Sequence, residues 1–274
     1  MVRKKTGAGS SRAIAALEPK PLAGNGSASL AVALGSSEAL AKMPGTGGEI
    51  VSQDGIVRIS GRDYATGAGI VPAAEIYFAK DGMPKAEGPW LGEADKVAWV
   101  DPPTGLECIM MRDHPNGFLS GYVGVPEGHP LFGWKHDALP AGLGIEVHGG
   151  LAYSRICDEG PSPQRRLITE VRRICHVVVG AIPLTHATDH RVGEGQWWFG
   201  FDCNHLYDVV PRSVRNLDRF MGAETEAEYR DDGYVVREIR NLAAQLKAIA
   251  DGLPMPPRDG PPLPPAGLDP HRGG

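Results

Sequence analysis

The run Trp197-Trp198-Phe199-Gly200-Phe201 ends abruptly in Asp202-Cys203-Asn204-His205, with Asp208 three residues further on. An aromatic segment of this kind is stable as a buried strand. Its polar end then brings two acids, a thiol and an imidazole to the margin of a core, where each needs a partner. Side chains alternate along a strand. Trp197, Phe199, Phe201 and Cys203 are therefore expected to face the core. Trp198 and Asp202 fall on the opposite face, with Gly200 leaving room between them. Trp198 is read there as a stacking surface for a planar ligand and Asp202 as its hydrogen-bond acceptor.

The rest of the chain supplies a sheet for this strand to join. Val97–Val100, Leu106–Met111 and Phe118–Val125 read as three strands. The turn Asp101-Pro102-Pro103-Thr104-Gly105 joins the first two, and Asn116-Gly117 signals a hairpin between the last two. Together they predict an antiparallel meander. Short strands are also expected at Ile56–Ile59 and Ala74–Phe78. A further strand is expected at 144–154, broken by Gly149-Gly150, and another at Cys175–Val179. From about 226 to 250, Val235, Ile239, Leu242, Leu246 and Ile249 recur at intervals of four and three. That spacing is one apolar stripe of a helix, and Gly252 and Pro254 end it. The expected fold class is α+β, with a mainly antiparallel sheet covered by this C-terminal amphipathic helix.

Residues 1–49 are rich in Gly, Ala, Ser and Lys and contain no aromatic residue. They are expected to form a disordered, low-complexity extension. Residues 50–251 form the expected single domain, and the Pro-rich stretch 252–274 an extended tail. The net charge of −5 gives no strong nucleic-acid signal. Arg165-Arg166 with Arg172-Arg173 is the one basic cluster and reads as a solvated face. The four cysteines form no CxxC pair, which disfavours a four-thiolate zinc site. No apolar run is long enough for a membrane span or an adequate export signal. A soluble, reduced, cytoplasmic protein is the expectation.

Candidate chemistry gathers in two places. His205 and Asp208 lie three apart on a turn, where the acid can orient the imidazole as a general base or metal ligand. Glu146 and His148 lie two apart on the predicted strand and so share a face, beside Gly149-Gly150. Tyr153 adds a hydroxyl. His148, Asp202, His205 and Asp208 are therefore the candidate catalytic set. Glu146, Gly149, Gly150, Tyr153 and Trp198 are the candidate ligand contacts. His148, Asp202 and His205 are candidate ligands for a divalent metal, zinc or manganese. His129, between Gly128 and Pro130, reads as a structural hydrogen-bonding group, and Cys203 as a small buried hydrophobe. HExxH, Walker A and GxSxG motifs do not occur, which disfavours a common metalloprotease, a P-loop NTPase and an α/β-hydrolase.

Four segments share a pattern: Tyr122-Val123-Gly124-Val125-Pro126-Glu127-Gly128-His129-Pro130, Val147-His148-Gly149-Gly150-Leu151-Ala152-Tyr153-Ser154, Trp197 through His205, and Tyr229-Arg230-Asp231 with Tyr234-Val235. Together they resemble a set of uncharacterised proteins encoded by bacteria and their phages, over roughly residues 90–250. The resemblance carries no activity. Members of that set often have Gly-Asp soon after the Cys-x-His, where this chain has Tyr207-Asp208. A phage-encoded member would reside in the host cytoplasm.

Three functions remain open at this point. One is a small-molecule hydrolase, metal-dependent or not, acting on a nucleotide or other phosphorylated ligand. Another is a non-catalytic module of phage or host-defence type that sequesters a ligand or protein. The third is a phage accessory structural protein, with the Pro-rich tail as its interaction element. The oligomeric state is not legible.

Overall fold

A computed structural model describes residues 26–82, 84, 87–157, 166–175, 195–212 and 227–264. Its centre is an eight-stranded antiparallel sheet. The strands are β1 (Glu49–Gln53), β2 (Ile56–Thr66), β3 (Gly69–Ala79), β4 (Lys96–Val100), β5 (Glu107–Arg112), β6 (Leu119–Val125), β7 (Tyr153–Ile156) and β8 (Trp197–Asp202). They lie in the order β1-β2-β3-β4-β5-β6-β8-β7. The expected meander is β4-β5-β6, and the strands expected around 56 and 74 are the starts and ends of the longer β2 and β3. The aromatic run is β8, paired with β6 from Ser120↔Asp202 to Val125↔Trp197.

The turns follow local chemistry. Asp54 and Gly55 both adopt positive φ, +50° and +77°, and close β1 onto β2. Between β5 and β6 the Asp113 N–H donates to the Phe118 carbonyl at 2.8 Å, and the Asp113 side chain accepts from the Asn116 N–H.

Helix α4 (Asp232–Asp251) covers one face of the sheet. Val235, Ile239, Leu242 and Leu246 are fully buried there against Val97, Met110, Leu119, Val123, Phe199 and Phe201. Each such side chain contributes about 1.5–3 kcal/mol of burial. The helix meets β6 at close range at Gly121, where a Cβ would stand 2.5 Å from the Phe201 ring and 2.6 Å from Ile239. The helix begins at Asp232, later than the expected start near 226. Asp231 is the N-cap and accepts from the Tyr234 N–H, while Tyr229 and Arg230 precede the first turn. Gly252 ends it in the left-handed conformation, as expected.

The opposite face is also covered. Leu167 and Val171, in and just after α3 (Leu167–Glu170), pack on Val51, Ile56 and Tyr77. Lys96 Nζ crosses to donate to the carbonyls of Glu170 (2.8 Å) and Arg173 (2.7 Å). A disulfide joins Cys157, just after β7, to Cys175. The expectation of four reduced thiols is thereby corrected to two, Cys108 and Cys203, both buried. Arg165 and residues 176–179 lie outside the described residues.

The low-complexity N-terminal region enters the core over part of its length. Residues 26–48 hold α1 (Gly26–Leu34) and α2 (Ser37–Ala41), and Leu30 and Met43 are buried in the main core. A few aliphatic side chains suffice because the surface they join is already formed. Beyond Gly252 the tail runs extended beside α4, tied by the Arg258–Glu238 ion pair and by Asp259 to Asn241. Among the described residues no helix is long and apolar enough to cross a membrane.

Candidate functional site

Three segments meet at one end of β8, beside the start of α4. The first is the turn 147–150. Gly149 and Gly150 take φ of +63° and +81°, and the Gly150 N–H donates to the Val147 carbonyl. Such a backbone cannot continue a strand, so the strand expected from 144 starts only at Tyr153. Glu146 and His148 consequently do not share a strand face. Glu146 is exposed, its backbone held at both ends by Gln245, whereas His148 is fully enclosed. The second segment is the turn after β8, where the Asp208 N–H donates to the His205 carbonyl at 3.0 Å. The third is Glu228–Tyr234, which forms a parallel bridge with Asp208 and runs into α4.

Asp208 is the hub. Its Oδ2 accepts from His148 Nε2 at 2.8 Å and from the His205 backbone N–H at 2.9 Å. Its Oδ1 accepts from Arg230 Nε at 2.9 Å. Burial opposes the charged form, but these donors outweigh it and hold the carboxyl well below the usual carboxylate range. With Nε2–H donating a hydrogen bond to this carboxylate, Nδ1 of the neutral ring is the acceptor for the Tyr234 hydroxyl at 2.8 Å. Burial pushes the Tyr234 phenol up, so it keeps its proton.

His205 completes the cluster. Its ring stands edge-on to His148, with centroids 5.2 Å apart. Gly149 makes that position available, because a Cβ there would lie 2.0 Å from His205 Cε1. His205 Nδ1 is 3.4 Å from Asp208 Oδ2 but is buried without a hydrogen-bond partner. The side chain retains 16% exposure, so of the three it is the one a ligand can reach. No family model, curated protein or solved structure matches this chain. The arrangement itself is therefore the basis for any functional reading.

His148, His205 and Asp208 thus converge, and Asp202 does not. It lies on the sheet face opposite Phe201 and accepts from Ser120 Oγ at 2.7 Å on β6. Strand alternation separates it from Asp208, so its expected role as metal ligand and catalytic group is corrected. Trp198 is on that second face too, but it is fully buried with Ala98, Ile109 and Tyr122 and offers no stacking surface. The room at Gly200 is filled by the Tyr122 ring, which a Cβ there would meet at 2.3 Å. Tyr153 packs edge-on against Tyr122, away from the cluster. Gly149 contributes as backbone beside His205.

The expected supporting roles hold for two residues. His129 accepts from the Leu131 N–H at Nδ1 and meets the Leu246 carbonyl at Nε2, bracing its loop on α4. Cys203 is enclosed in the main core, and burial pushes its thiol up. Sequence reasoning missed the roles of Arg230 and Tyr234. Arg230 had a signal. A cation directly before a helix N-cap opposes the helix dipole and calls for an acidic partner.

Proposed function

We propose that this chain is a small-molecule hydrolase built on a divalent-metal centre at His148, His205 and Asp208. The observation that carries the reading is convergence. One ligand atom from each residue lies within 4.8 Å of the other two, and His205 Nδ1 has no other partner. Two imidazoles and a carboxylate suit zinc, manganese or iron. The outer contacts fit the same reading. Tyr234 on His148 Nδ1 and Arg230 on Asp208 Oδ1 orient the two side chains, and Nε2 and Oδ2, bonded to each other at 2.8 Å, are the atoms that would turn to a metal.

A zinc or manganese ion at this position would supply Lewis-acid polarisation of a substrate oxygen. The protein's own part is positional. With its Nε2 lone pair on a metal, His148 would carry its proton on Nδ1 and donate a hydrogen bond to the Tyr234 hydroxyl oxygen. His205 presents the accessible edge. A nucleotide or other phosphorylated small molecule is the proposed substrate class; the Arg230 guanidinium beside the cluster is itself paired with Asp208 and Glu228.

Elemental analysis of the purified protein tests the reading. Zinc or manganese near one equivalent is expected, and His205→Ala should remove it with little change in melting temperature. The metal-loaded protein should convert at least one member of a nucleotide panel. Metal-free protein that neither takes up these ions nor alters any nucleotide rejects the proposal.

One observation favours a second, non-catalytic reading. Both ring nitrogens of His148 and both Asp208 oxygens are already satisfied within the chain. The cluster would then brace a surface that sequesters a ligand or protein. Recovery of a bound but unchanged nucleotide would favour that role.

A further inference from the structure

A second buried polar cluster lies beside the first, and one short segment serves both. Glu93, in the turn before β4, is 1% exposed. Its Oε2 accepts from Arg112 Nη2 and from the Tyr229 hydroxyl, each at 2.7 Å. Its Oε1 accepts from the Asp232 backbone N–H at 2.9 Å. Arg112 Nη1 donates to the Tyr229 oxygen at 3.0 Å, closing a ring of contacts. Asp232 in turn accepts from Lys42 Nζ and the Tyr64 hydroxyl, each at 2.7 Å.

The segment 229–234 alternates between the two clusters. Tyr229 and Asp232 are held by Glu93. Arg230 and Tyr234 reach the other way, to Asp208 and to His148. A buried carboxylate among charged donors is costly to build, and this one bonds to the backbone as well as to side chains. Its contacts at Tyr229 and Asp232 flank Arg230 and fix the first turn that aims Tyr234. Removing them would free the pair of groups that orient the metal ligands, with no change at the ligands themselves.

We propose that Glu93 is a positioning residue for the His148–His205–Asp208 centre, acting through Tyr229 and Asp232 on Arg230 and Tyr234. The role rests on the metal-centre reading for its consequence and on the geometry alone for its mechanism. The test is Glu93→Gln, which keeps the shape and one acceptor but loses the charge that holds Arg112. Two readouts are needed: the Co²⁺ dissociation constant, and the imidazole nitrogen resonances of His148 and His205 in metal-free protein. Loss of a contact made directly to a metal ligand weakens binding by about 10- to 100-fold, and removing Glu93, one contact further out, sets the lower end of that range. That loss is expected here, together with displaced His148 resonances.

Arg62→Gln is the control. It removes buried contacts to the carbonyls of Met43, Gly45 and Gly47 without touching the 229–234 segment. It should lower the melting temperature and leave both readouts unchanged. Wild-type affinity and wild-type resonances in Glu93→Gln overturn the proposal, as does an equal effect of Arg62→Gln. If the wild-type protein binds no Co²⁺, the metal reading fails. The metal-free resonances then decide the positioning role by themselves, unchanged signals rejecting it. Should Glu93→Gln not fold, Tyr229→Phe removes one of the two contacts between Glu93 and the segment, leaving the Asp232 N–H bond, and is read the same way.

Discussion

His148 Nε2 and Asp208 Oδ2 lie 2.8 Å apart with both side chains fully enclosed, although sixty residues of chain separate them. The bond ties the glycine turn at 147–150 to the turn that follows β8. His205, three residues before Asp208, shares the same carboxylate oxygen but keeps one edge open. The two histidines therefore differ in kind, one an internal brace and the other the accessible member.

That difference predicts opposite mutational signatures. His148→Ala leaves Asp208 without one of its donors and opens a cavity at full burial. Removing one partner of such a pair costs about 3–5 kcal/mol. His205→Ala takes away a partly exposed ring whose Nδ1 has no hydrogen-bond partner, and should cost under about 1 kcal/mol. Urea unfolding of the two variants measures both. Equal losses would contradict the division of roles.

Acid stability should depend on Asp208. Its carboxyl is held below the range of an unfolded aspartate, so the folded state favours the charged form. The resulting stabilisation is fully present above about pH 4, the unfolded value, and drains away as pH falls toward the lower folded value. Asp208→Asn should be less stable at pH 7 and should show a flatter decline below about pH 4. Unfolding free energies of both proteins from neutral to acid pH provide the check. Parallel curves would reject the assignment.

Asp95 should act with the opposite sign. It is buried, and burial pushes its carboxyl up to about 6, against the pull of Arg112 and of the Ala79 N–H. Its Oδ1 has no hydrogen-bond partner. Between about pH 4 and 6 the folded state therefore holds a proton that the unfolded chain has released. Stability falls as pH rises through that window, by about 2–3 kcal/mol from this group. Asp95→Asn should remove that component, making the variant relatively more stable at pH 7 than at pH 4. A pH series of denaturant midpoints for the two proteins decides it.

Gly149 should tolerate no side chain. A Cβ there meets the His205 ring at 2.0 Å, and φ of +63° adds backbone strain for any L residue. Gly149→Ala should cost about 1–3 kcal/mol and displace His205. The displacement would appear as altered His205 ring resonances, whereas substitution at Gly142, with nothing within 4 Å, should leave them in place.

These expectations also mark how far the letters alone reach. The meander, β8 and the α4 stripe were legible because each is a local pattern, a period of two or of 3.6 closed by turn residues. The inward set Phe199, Phe201 and Cys203 followed from the same alternation. What failed was non-local. Trp198 reads as a surface from β8 alone and becomes core because other segments cover the second face. Asp202 and Asp208 look equivalent in sequence, yet strand parity sends the first to Ser120 and the turn sends the second to His148. Tyr234 reads as one more helix residue until its distance to His148 is known.

The second face supplies the remaining prediction. Cys157 follows the edge strand β7, and Cys175 follows the segment whose Leu167 and Val171 cover Tyr77. Their disulfide closes a loop over a sequence separation of 18 residues. It limits the unfolded chain by about 3 kcal/mol for a loop of this length. In a domain of some 200 residues that corresponds to roughly 6–12 °C of melting temperature. Reductant should lower the wild-type midpoint by that amount and leave a Cys157→Ser, Cys175→Ser variant unaffected. Mass analysis after alkylation without reductant should find two modifiable thiols once the protein is denatured, those of Cys108 and Cys203. Four would show that packing, Lys96 and the Leu167 N–H bond to Gln53 hold the cover without a disulfide.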